Sequence, residues 1–191
     1  TANIDQLVGA LAGGGPRADS ASTVLSAMGP EAYRAVAKAF LSFDEGGKRV
    51  ALDVLDHAPC SESNAVYIQA LLGNVEAHRL HAIDRLRRCG AEATTFIEQA
   101  LGSSPSLKQR PLLELFAEIA PERAITYVAP RLNGSVKTRK LLREIIAQAS
   151  RSPKASPSLR EQLARTDLPS KTFVDLLRAV GQYMRGYQKL N

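Results

Sequence analysis

The chain has 191 residues, of which 45% are hydrophobic and 23% charged, a balance that excludes global disorder and suits a globular fold. No apolar run reaches the roughly 18 residues that a membrane-spanning helix needs. The net charge of +6 is uneven: residues 1–95 hold 9 basic against 11 acidic side chains, and residues 96–191 hold 16 against 8.

Aromatic residues make up 5% and Trp is absent, so the core must be built from Leu, Ala, Val and Ile. In chain order, the pattern predicts an irregular first pair of helices over Ile4–Leu11 and Ser20–Met28, split by Gly13-Gly14-Gly15-Pro16. Glycine entropy and the missing proline donor stop a helix there. A second pair follows over Pro30–Ser42 and about Gly47–Ala58, with Pro30 and Glu31 suited to a first helical turn. The third pair covers Ser63–Leu72 and Glu76–Cys89, closed by Gly90. The fourth covers Ala91–Leu101 and Leu107–Ala120, with Ser103-Ser104-Pro105 as the turn. Pro121–Leu132 and Val136–Ser150 form the fifth around Asn133-Gly134-Ser135, a turn that also reads as an N-glycosylation acceptor. A sixth pair runs Ser158–Arg165 and Pro169–Met184. No stretch alternates as a strand would.

These pairs repeat at a step of about thirty residues. Leu41, Leu72, Leu101, Leu132 and Leu163 are spaced by 31, 29, 31 and 31. Tyr67-Ile68 precedes Leu72-Gly73, Phe96-Ile97 precedes Leu101-Gly102, and Tyr127-Val128 precedes Leu132-Asn133. The second helices align as Ala51–Leu55, Ala82–Leu86, Leu112–Phe116 and Leu141–Ile145. Most are introduced by a basic residue: Arg49, Arg79, Arg110, Arg139 and, more loosely, Lys171. The arrangement resembles the HEAT-like helical repeat family in its short, roughly thirty-residue form. The likeness covers residues 30–151 well and the ends less well. It implies an all-α, right-handed solenoid of five to six hairpins. Residues 1–29 would be an irregular N-terminal cap, 30–151 four repeats, and 152–191 a C-terminal helical pair. It also implies protein binding along a groove lined by second helices, or, as in a minority of the family, DNA binding.

Little in the residues points to chemistry. Gly46-Gly47-Lys48-Arg49 lacks the upstream glycine and the hydroxyl of a phosphate loop. His78 and Asp84 fall about 120° apart on a helix, too far to converge on one ion, so His57, His78 and His81 read as exposed histidines without a metal. Asp53, Asp84 and Glu114 recur at equivalent positions, which favours a structural role such as pairing with the next repeat's arginine. Cys60 and Cys89 read as two free thiols in a reducing compartment, with a bridge between neighbouring repeats as the alternative.

The expected function is therefore a non-catalytic protein-binding scaffold or adaptor with no cofactor, its partner another protein or peptide of acidic character. The alternative is nucleic-acid binding through the basic second half. Lys137, Arg139, Lys140 and Arg143 form two adjoining basic stripes by helical spacing, and Arg85 and Arg88 add to an earlier second helix. The chain opens at Thr1, which reads as a fragment without its native start, and a cytoplasmic location is expected.

Overall fold

The computed structural model describes residues 2–102 and 105–188. The Ser103-Ser104 part of the expected turn lies outside the described residues. The structure is 82% helix, and the described residues form twelve α-helices and four short 3₁₀ segments with no strand. The chain divides into two compact units, residues 1–96 and 97–191, a coarser division than the cap, repeats and terminal pair expected from sequence.

The first unit contains α1 (Ala2–Leu11), α2 (Gly15–Met28), α3 (Pro30–Ala39), α4 (Glu45–Leu55), α5 (Cys60–Leu71) and α6 (Glu76–Cys89). Neighbours in sequence pack as hairpins: α1 with α2, α3 with α4, and α5 with α6. The first members pack side by side, α1 on α3 and α3 on α5, as do the second members, α2 on α4 and α4 on α6. The entry to α4 explains the paired glycines. Asp44 caps the helix, its Oδ1 accepting the Gly47 N–H at 2.7 Å. A Cβ at Gly47 would stand 2.4 Å from the Leu11 carbonyl oxygen, so only glycine lets α4 start against the end of α1.

The divide between the units falls within α7 (Ala91–Leu101). The second unit contains α8 (Arg110–Ile119), α9 (Pro121–Val128), α10 (Val136–Ala149), α11 (Ser156–Ala164) and α12 (Ser170–Gln188). Here α8 packs on α9 and α9 on α10. The row α8, α10, α12 lies side by side, and α9 packs on α11. Ser135 Oγ accepts the Thr138 N–H at 3.2 Å, so Asn133-Gly134-Ser135 serves as a turn ending in a helix cap.

The core is mostly aliphatic, with Leu11, Leu25, Leu52, Leu55, Leu71 and Leu86 fully buried in the first unit and Leu112 and Leu113 in the second, but its largest buried side chains are the aromatic Phe40, Tyr67 and Phe116. Each such side chain contributes roughly 1.5–3 kcal/mol by burial. The repeat leucines behave unequally. Leu101 and Leu132 are buried, whereas Leu41 is 68% and Leu72 39% exposed. Leu41 lies in a 3₁₀ turn over Phe40–Ser42, whose tighter winding rotates it off the apolar stripe. In α5 the inward position belongs to Leu71, one residue earlier, and Leu72 follows the last helical residue.

The cysteines correct a further expectation. Cys60, at the start of α5, and Cys89, at the end of α6, form a disulfide with their Cα atoms 5.7 Å apart. They are not free thiols. An antiparallel hairpin brings its two open ends together, so residues 29 apart in sequence become neighbours.

Candidate interaction surface and the Asp56 cluster

The arginines of the expected basic stripes are mostly committed to carboxylates. Asp175 of α12 keeps only 2% of its side chain exposed and receives Arg139 Nη1 at 2.9 Å and Arg143 Nη1 at 3.3 Å from α10. Arg178 stands 3.8 Å away and is mainly exposed. Two guanidinium groups from one face of α10 therefore close on a single buried acid. Lys137 and Lys140 remain exposed and make no ion pair among the described residues. In the first unit, Arg85 donates to the Ala58 carbonyl at 2.6 Å, and Arg88 pairs with Asp84 at 2.9 Å.

The recurring acids take partners in their own helices rather than in the next repeat. Arg49–Asp53 and Arg110–Glu114 close at 3.3 and 3.2 Å, both one turn apart, like Arg88–Asp84. Three of the basic residues that open second helices reach across: Arg49 to Asp19 of α2 at 3.3 Å, Arg110 to Glu144 of α10 at 2.9 Å, and Arg139 to Asp175. A long guanidinium side chain spans the distance between packed helices where an aspartate cannot.

One cluster went unseen in the sequence. Asp56 follows the last residue of α4, where a carboxylate opposes the helix dipole. Its Oδ2 meets His81 Nε2 at 2.8 Å, and its Oδ1 accepts the hydroxyl of fully buried Tyr67 at 2.7 Å. Arg85 Nε and Arg88 Nη2 each lie 4.0 Å from Oδ1. Burial pushes the Asp56 carboxyl up, but the hydrogen bonds from His81 and Tyr67 outweigh it and hold the group below its ordinary value. The bond to Asp56 raises His81 against the opposing effect of burial. Burial, reinforced by Asp56, raises Tyr67, which stays protonated. His78 is buried and shifted down, chiefly by desolvation. Neither histidine is the exposed group expected from sequence, because both face the hairpin packed against α6. The unfavourable position of Asp56 at a helix end was the one hint available in the sequence.

Asp53, Asp56 and His81 offer three ligand atoms within 4.8 Å of one another, which invites a metal reading. The donor set argues against it. Both Asp56 oxygens already accept hydrogen bonds, Asp53 carries Arg49, and two further arginines hold positive charge beside the acid. A divalent ion would compete with charge that is already balanced. The one hydroxyl among the partners of Asp56, that of Tyr67, is buried and held protonated, and the contacts of Asp56 with Tyr67 and His81 tie the end of α4 to α5 and α6.

In the second unit, an open depression of about 440 Å³ is lined by Glu98, Glu122, Arg123, Tyr127, Arg131 and Ser158. Arg123 grips Glu98 through two bonds of 3.1 and 2.7 Å, and Arg131 stacks 3.9 Å from the Tyr127 ring centre. Arg123 and Glu98 are thus engaged with each other and Arg131 with Tyr127, while Glu122 Oε2 is buried without a hydrogen-bond partner. Among the described residues of this unit, α12 exposes a group of apolar side chains: Phe173, Val174 and Leu177 are 37%, 43% and 47% exposed. Compared with protein-family models, with curated proteins and with solved structures, the chain matches none.

Proposed function

We propose that this chain is a non-catalytic protein-binding module, a scaffold or adaptor of HEAT-like type whose hairpins stack as a right-handed solenoid and present their second helices to a partner. The observation that carries the reading is the apolar outward face of α12, Phe173, Val174 and Leu177, on a helix whose opposite side is pinned through Asp175. A preordered apolar face costs little entropy to dock. The side-by-side rows of first and second helices within each unit support the repeat architecture. The self-contained Asp56 cluster supports a role without catalysis. The Cys60–Cys89 disulfide supports an oxidising compartment in place of the expected cytoplasm.

A photo-crosslinking residue at position 177, with Lys38 as an exposed control site, tests the reading in cells of the source organism. A protein adduct at 177 that the control lacks, identified by mass spectrometry, is the expected result. The absence of any protein adduct would overturn it. The nucleic-acid reading is second, carried by exposed Lys137 and Lys140 on a half-chain with 16 basic against 8 acidic residues.

A further inference from the structure

Resting on that reading, we infer that the partner of the α12 face is an acidic amphipathic helix. At about 100° per residue, Phe173, Leu177 and Val174 occupy about 100° of the outward arc of α12, and Lys171 and Arg178 follow within about 60° of Val174. That basic margin borders Asp175, the residue through which α10 is held. On α10, Val136 and Lys140 follow Arg143 within about 60°, turned toward solvent. Val136 is 71% exposed. The seam between α10 and α12 is therefore edged by Lys140, Lys171 and Arg178, with Val136 and Val174 beside them.

Among the described residues no carboxylate pairs with Lys140 or Lys171, and Arg178, itself mainly exposed, meets only Asp175, at 3.8 Å. Asp175 is buried under its own arginines, and the outward arc of α12 from Ser170 to Gly181 carries no other acid. A second copy seated on this face would set like charge against like charge, which disfavours self-pairing. A nucleic-acid backbone would satisfy the cations but leave the three apolar side chains in water. A lipid surface would find an apolar patch only about 6 Å long along the helix, little area for insertion. An amphipathic helix with an apolar stripe flanked by Glu or Asp fits both the patch and its margin.

The test uses the full chain and two synthetic helical peptides of about four turns. Both carry the same leucine stripe, flanked by Glu in one and by Lys in the other. Duplex DNA and phosphatidylserine vesicles form the remaining arms. The Glu peptide should bind at least about tenfold more tightly than the Lys peptide, and should shift the amide resonances of residues 171–178 and of Lys140. The double variant Lys140→Glu/Lys171→Glu touches neither the Asp175 clamp nor the core, and should reverse the order of the two peptides. Leu177→Ala should weaken both. Equal affinity for the two peptides, an unchanged order in the double variant, resonance shifts elsewhere than α10 and α12, or preference for vesicles or DNA would each overturn the inference. So would failure of the Glu peptide to bind. A crosslink at position 177 to a neutral or basic protein segment would sink the inference and leave the protein-binding reading standing. The lack of any protein adduct would remove that reading itself.

Discussion

Arg139 meets Asp175 at 2.9 Å, joining the first turn of α10 to α12 around an acid with 2% of its side chain exposed. The contact links residues 36 apart in sequence, and Arg143 closes the same carboxylate from one turn further along α10. Asp175 thereby holds the apolar face of α12 in a fixed orientation. Asp175→Ala should destabilise the protein by about 3 kcal/mol, because it strands two partly buried guanidinium groups. Urea unfolding measures this, and a loss under about half a kcal/mol would show that the acid does not anchor the helix.

The repeat leucines divide into two classes. Leu101→Ala and Leu132→Ala should each cost roughly 2–5 kcal/mol, from lost transfer energy plus a cavity. Leu41→Ala and Leu72→Ala should cost under about 1 kcal/mol, since both side chains already meet water. Equal losses at all four sites in denaturant titrations would contradict the burial pattern.

Reduction of Cys60–Cys89 should destabilise the α5–α6 hairpin. A closed loop of this length, with a sequence separation of 29, corresponds to roughly 3–4 kcal/mol on the loop-entropy scale. Melting with and without reductant reads the effect, with the Cys60→Ser/Cys89→Ser variant as the control that reductant must leave unmoved. An identical melting temperature in all four samples would show that the bond does not hold the hairpin.

The Asp56–His81 pair gives stability a defined pH window. His81 has a raised pKa in the fold, so its contribution is complete below its ordinary value of 6.5 and is lost as pH climbs through the raised value. Asp56 has a lowered pKa, so its contribution is complete above 3.8 and is lost as pH falls through the lowered value. His78 acts in the opposite sense to His81: its lowered pKa favours the fold above 6.5 and costs stability on acidification. His81→Gln should therefore remove the alkaline decline attributable to the pair and leave the acid-side effect of His78. Unfolding free energies across pH for the two proteins make the comparison, and superimposable slopes would refute it.

Duplex binding should be negligible at about 50 mM salt. If it is found, Lys137→Ala/Lys140→Ala should lower the log–log salt slope by up to about 0.9 per lost phosphate contact. Arg139 and Arg143 are unsuitable for this experiment because removing them disturbs the Asp175 clamp. A strong, salt-sensitive duplex complex that the lysine variant weakens would favour the nucleic-acid reading over the protein-binding one.

The sequence alone determined the helical class, most helix pairs and the aliphatic core, because apolar spacing at three and four residues is a local property that a helix converts directly into a buried face. It also set the charge imbalance between the halves. Only the tertiary structure decided what those charges do. Arg139 and Arg143 read as a binding stripe on their own helix, but an acid 36 and 32 residues away engages them and leaves them half-buried. Lys137 and Lys140, on either side of Arg139 in the same helix, stay in water. The Cys60–Cys89 bond and the Asp56–His81 contact arise likewise, from antiparallel hairpins bringing distant residues within bonding range. Helical spacing shows which side of a helix a residue occupies. Which neighbour lies on that side is set by how the helices pack, and that geometry depends on contacts throughout each unit.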